Sequence, residues 1–189
     1  MGIELRQLRI SNEWKLLQQV ALLNQSLVEI LDRRSVPEED LFRVVLHHTC
    51  GIVQTDATRE FIFSHTAEVR FTRFFPSVPI EACLPTPVFH PNVDPDNGFV
   101  CLWNKFSPGD TVLEVLFRLQ HTISWSLVNL EATHVMQVGA AKWYEDPLRQ
   151  TALPLAFTPL LWPRHFSPER QPDENPPDKF RRRLERTGR

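Results

Sequence analysis

Apolar side chains recur every three or four positions between residues 12 and 31, at Trp14, Leu16, Leu17, Val20, Leu23, Leu27, Ile30 and Leu31. That spacing predicts an opening amphipathic helix, with Ser11 and Asn12 as candidate caps. The polar stretch 33–40, which contains Pro37, breaks it. Residues 41–53 are rich in β-formers (Phe42, Val44, Val45, Leu46, Ile52, Val53), and 60–63 and 67–74 alternate in part, so these segments read as strands of an antiparallel meander. Four prolines, Pro76, Pro79, Pro85 and Pro87, stiffen the next segment, within which residues 80–84 fit a fourth, edge-like strand. A second helix carries Val112, Val115, Leu116, Leu119 and Ile123 on one face and is entered through Ser107-Pro108-Gly109-Asp110. A third holds Ala140, Ala141, Trp143 and Tyr144. Helix, strands, an extended loop and then helices make an α+β plan.

The character changes near residue 151. Seven of the sixteen prolines lie at 154, 159, 163, 168, 172, 176 and 177, and Arg181-Arg182-Arg183 follows. The expected organisation is therefore one domain over 1–150 and a Pro-rich tail over 151–189. Leu155, Phe157, Leu160, Leu161 and Trp162 suit an extended path along the domain surface. From Pro168 onward the composition predicts disorder, apart from a short helix over 179–186.

Composition narrows the function classes. With 42% apolar and 23% charged residues and a net charge of -2, the chain reads as an ordinary globular protein with no general pull toward nucleic acid. No apolar run approaches the roughly 20 residues a membrane span needs, and residues 1–11 lack a secretory core, so a cytoplasmic location is expected. The three cysteines, Cys50, Cys83 and Cys101, are odd in number and show no C-x-x-C spacing, which argues against a disulfide framework and a zinc site. His47-His48 lacks a carboxylate or Cys at ligand spacing, so no metal is expected; Asp94 and Asp96 flank a proline and read as turn formers.

The chemistry concentrates at His90-Pro91-Asn92, followed by Cys101 inside the apolar run Phe99-Val100-Cys101-Leu102-Trp103. An accessible thiol can hold an acyl group as a thioester. Within five residues of Cys101 the one basic side chain is Lys105, so the sequence offers no evident base to lower the thiol's pKa; transthiolation tolerates this because the incoming thioester is already activated. The Asn92 amide either donates to the oxyanion on the thioester carbonyl or holds the loop in shape. His90 reads as a residue that orders the turn, while Cys50 and Cys83, in strand-like segments, read as structural.

In that order these elements resemble the ubiquitin-conjugating enzymes. The chain has a strand (68–75), Pro76-Ser77-Val78-Pro79, His90-Pro91-Asn92, a loop through Gly98, Cys101-Leu102, Phe106-Ser107-Pro108, and an apolar helix over 111–123. The loop before the cysteine is longer than the family's, and Trp103 stands where an aspartate often follows. The Ala-Ala-Lys-Trp-Tyr string over 140–144 is similar to bacterial members, whose setting is antiviral operons. The resemblance implies the ubiquitin-conjugating fold. It implies that an ATP-dependent activating enzyme delivers a ubiquitin-like modifier to Cys101, with transfer to an amine of a protein target and no cofactor. It places Glu131 where the family activates the acceptor amine. Alternatives are a carrier for the C-terminus of a cGAS-like nucleotidyltransferase and a non-catalytic scaffold of the same fold. A phosphatase would need Arg where Ser107 stands, and a cysteine protease would need a general-base His that local spacing does not supply.

Overall fold

The structure is a computed structural model that describes residues 2–36, 39–54, 58–151, 153 and 156–163. Helix α1 spans Gly2–Leu23 and is followed by strands β1 (Val28–Val36), β2 (Glu39–Gln54), β3 (Arg59–Thr72) and β4 (Glu81–Cys83). Helices α2 (Val112–Ile123), α3 (Val138–Tyr144) and α4 (Pro147–Gln150) complete it. The four strands form one antiparallel sheet in sequence order.

The opening helix begins ten residues earlier than its apolar pattern suggests and ends before Leu27, Ile30 and Leu31, which lie beyond it. Ser11 and Asn12 are thus mid-helix and cap nothing. The helix buries Ile10, Leu16, Leu17 and Val20, and the apolar spacing continues past it because Leu27 and β1 follow closely on its end. Segment 60–63 and residues 67–72 belong to one strand, β3, which ends before Arg73; residues 33–36 lie in β1 and 39–40 in β2, and Pro37 lies outside the described residues.

Alternation decides which sheet face is the core. Phe42, Val44 and Leu46 on β2 sit opposite Val69, Ala67 and His65 on β3, and all six are buried. Rings from three elements link across this face: Trp14 to Phe42 at 4.9 Å, Phe42 to Phe71 at 4.7 Å and Phe71 to Phe75 at 5.1 Å. Helix α2 packs on it through Val112, Val115, Leu116, Leu119 and Ile123. Its first turn is satisfied from outside, since Glu13 on α1 accepts the Val112 N–H at 2.7 Å and the Arg9 Nε–H at 2.8 Å.

A smaller cluster of Ile52, Phe89, Trp125, Ala140 and Tyr144 lies beside the main core and seats α3. The segment 156–163 runs as an extended strap. It pairs with β2 where that strand shifts register: Cys50 N–H donates to Ala156 at 3.0 Å and Thr158 N–H to His48 at 3.3 Å. Asn24 grips its far end, accepting the Leu161 N–H at 2.7 Å and donating to the Leu161 carbonyl at 3.0 Å. The stretch from Pro168 onward, including 179–186, lies outside the described residues.

Candidate active site

Two loops meet at Cys101. The first runs from His90 to Cys101 and is folded back on itself. Asp94 N–H donates to Phe99 at 2.8 Å and Gly98 N–H to Asp94 at 2.9 Å, while the Asp94 carboxylate accepts from Asp96 N–H and the Asn97 side chain, both at 2.9 Å. The loop is sewn to the sheet edge by Val100 N–H to Ala82 (2.9 Å) and Leu84 N–H to Gly98 (2.8 Å). Gly98 has φ +73°, and a Cβ there would sit 1.9 Å from the Leu84 carbonyl oxygen, so both conformation and space require glycine. Cys101 N–H then donates to the Asn92 carbonyl at 2.9 Å, which fixes the thiol relative to the tripeptide.

The second loop, 126–137, follows α2. Every residue of His90-Pro91-Asn92 holds it. The Asn92 amide donates to the carbonyls of Asn129 (2.6 Å) and His134 (2.9 Å) and accepts the Asn129 N–H (2.8 Å). The Pro91 carbonyl accepts from Met136 (2.8 Å) and Gln137 (3.1 Å), and His90 N–H donates to the Gln137 side chain (2.8 Å). Both Asn92 N–H bonds therefore go to loop carbonyls, so in this state the amide shapes the loop and has no donor left for an oxyanion.

His90 is completely buried. Its Nδ1 accepts the Asn92 N–H at 3.1 Å, so the ring proton sits on Nε2, which is buried without a hydrogen-bond partner among the described residues. Burial pulls its pKa down from 6.5 to about 3. The ring is neutral at physiological pH and packs against Trp125, with centroids 4.7 Å apart.

The clamp delivers a base that the sequence alone did not reveal. His134 Nδ1 lies 3.1 Å from Cys101 Sγ, and His134 Nε2 lies 3.6 Å from Glu131 Oε2. The carboxylate favours the proton on Nε2, leaving Nδ1 to accept from the thiol. Burial pushes the Cys101 thiol up from its ordinary value, so the resting sulfur carries its proton. Glu131, 73% exposed against 18% for His134, reaches the sulfur through His134 alone among the contacts resolved here. The signal in the sequence is faint: Glu131-x-x-His134 in a polar stretch without apolar periodicity, 33 residues from the thiol.

Cys50 and Cys83 are buried, and burial raises both thiols. His47 hydrogen-bonds Ser64 at 3.0 Å and Glu29 at 3.2 Å. Among the described residues no group of three or more His, Cys, Asp or Glu is placed to hold a metal ion, and no helix is long and apolar enough to cross a membrane.

No family model matches the chain, and no curated protein does. Solved structures do. A Trypanosoma cruzi protein assigned as a ubiquitin-conjugating enzyme superposes with a TM-score of 0.51 at 17% identity, covering 76% of this chain and 92% of its own. One from Plasmodium yoelii gives a TM-score of 0.51 at 17% identity, covering 80% and 97%. The fold is thus that of the ubiquitin-conjugating enzymes.

Proposed function

We propose that this chain is a thioester carrier of the ubiquitin-conjugating type. An ATP-dependent activating enzyme presents the C-terminus of a ubiquitin-like modifier as a thioester. The Cys101 thiol attacks that carbonyl while His134 Nδ1 takes the thiol proton; the C–S bond to the activating enzyme breaks and its thiolate leaves. The modifier then passes to an amine of a target protein, and Cys101 is released as the thiol. The observation that carries this reading is the half-buried Cys101 thiol 3.1 Å from an imidazole on a loop clamped by His90-Pro91-Asn92. That geometry weighs against a non-catalytic scaffold, which has no need of an activated thiol.

The bacterial character of residues 140–144 suggests antiphage defence as the setting. There the carried C-terminus belongs to a ubiquitin-like protein or, alternatively, to a cGAS-like nucleotidyltransferase. The thiol–imidazole pair also fits a cysteine hydrolase, which would cleave finished conjugates and accumulate no thioester.

Incubation with activating enzyme, modifier and ATP is expected to give an adduct on a non-reducing gel that a thiol reagent removes. Cys101→Ala abolishes it, and Cys101→Ser or Cys101→Lys leaves a more durable ester or amide. An adduct that survives in Cys101→Ala refutes the assignment. In Asn92→Ala, loading persists and discharge to amine slows.

A further inference from the structure

We propose that the loaded site transfers to hydroxyl acceptors, the side chains of serine or threonine, with His134 as general base and Glu131 as its positioning residue. This rests on the carrier reading above and extends it to the class of acceptor.

The argument turns on when the acceptor loses its proton. A lysine must shed its proton before it attacks, and a desolvated wall or a nearby carboxylate achieves that without contact to the sulfur. An alcohol is far too weak an acid to ionise first; it gives up its proton during attack, to a base beside the reacting carbon. This site is furnished for the second case. Asp94 has both carboxylate oxygens committed to its own turn. Glu131 is largely exposed and faces His134 Nε2 at 3.6 Å. The imidazole is the group in contact with sulfur, at 3.1 Å, and acylation of Cys101 removes the one hydrogen its Nδ1 was accepting. Acylation therefore leaves that nitrogen next to the thioester without the thiol as its partner.

The step balances without any further reagent. The hydroxyl oxygen attacks the thioester carbonyl carbon as His134 Nδ1 takes the hydroxyl proton. The tetrahedral adduct expels Cys101 Sγ, the C–S bond breaks as the C–O ester bond is kept, and His134 returns the proton to sulfur. No group is oxidised or reduced.

Three contacts specify this geometry. Asn92 fixes the His134 carbonyl at 2.9 Å, His134 N–H donates to the Glu131 carbonyl at 2.8 Å, and Glu131 N–H donates to the Asn129 side chain at 2.8 Å. The turn holds its own base and that base's carboxylate in register.

The test loads the full-length protein by transthioesterification from a synthetic peptide ending in Gly-Gly as a mercaptoethanesulfonate thioester. Discharge is then offered to N-acetylserinamide, N-acetyllysinamide or methoxyamine, an amine already neutral at pH 7, and the products are weighed by mass spectrometry. Wild type is expected to form the seryl ester. His134→Ala should lower that rate by about 10² to 10⁴, the usual worth of a general base, and should lower discharge to methoxyamine far less; Glu131→Gln should show a smaller selective loss in the same direction. A site that is merely distorted would slow both acceptors together. Loading followed by lysine or methoxyamine discharge alone, with no seryl ester above the Cys101→Ala background, overturns the hydroxyl proposal and leaves the carrier standing. Failure to load at Cys101 overturns the carrier reading instead.

Discussion

Acidification from pH 7 to pH 4 is expected to remove about 3 kcal/mol of folding stability through His90 alone. The ring is fully buried, and its neutral form is required because Nδ1 accepts the Asn92 N–H. In the folded chain its pKa is about 3 against 6.5 for the free side chain. The unfolded state therefore binds a proton below pH 6.5 that the native state refuses until about pH 3. Stability from this residue is flat above neutrality, falls by about 1.4 kcal/mol per pH unit between those limits and levels off below them. At pH 4 the chain is two and a half units into that window, which gives the figure above. Set against a total of roughly 5–15 kcal/mol, this is enough to unfold a marginal domain. His65 and His121, also lowered by burial, add losses of the same sign, whereas Glu13, raised by burial, binds its proton more readily when folded and acts in the opposite direction. Comparison with His90→Asn isolates the residue. Urea unfolding at pH 7, 6, 5 and 4, followed by tryptophan fluorescence, should show the variant less stable at pH 7 but with a shallower acid dependence. Parallel profiles for the two proteins would refute the reasoning.

Gly98→Ala should cost more than about 2 kcal/mol, from left-handed backbone strain and the lost Leu84–Gly98 bond, and should change the alkylation rate of Cys101; thermal unfolding and iodoacetamide labelling read both. Asn24→Ala removes both bonds to Leu161, and a loss of about 2 kcal/mol with new proteolytic cleavage within 156–163 is expected. Glu13→Leu leaves the buried Val112 N–H and the Arg9 Nε–H without their acceptor, with an expected loss of about 2–3 kcal/mol in chemical denaturation.

Helix α2 was legible because five apolar residues fall on one face and Ser107-Pro108 precedes it, and the meander because its β-rich runs are separated by turn residues. The edge strand β4 was legible from Ile80 to Leu84, although it pairs over three residues only. The helix-to-strand boundary near Asn24 was not, because Leu27 and Ile30 satisfy a helical period as well as a strand beginning. Residues 156–163 run extended, as their spaced prolines and apolar residues suggest, yet their pairing depends on the β2 register shift, which no local pattern announces. At the site, the contact between Cys101 N–H and the Asn92 carbonyl joins two residues that the sequence places on one loop. His134 was not legible, because a base delivered by a second loop leaves its mark only in the folded contacts.

The 33-residue separation between thiol and base also bears on when the protein is reactive. In an unfolded or partly opened chain, the imidazole reaches Cys101 at no more than the millimolar effective concentration of a flexible loop, whereas in the native state the two sit in hydrogen-bond contact. Release of the single Asn92 amide loosens that loop at Asn129 and His134 at once, while its far end stays tied to His90 and Pro91. On the proposed carrier reading, the nucleophile is armed by the last stages of folding and disarmed by local opening, so damaged or nascent copies would be poor acceptors for an acyl group they could not pass on.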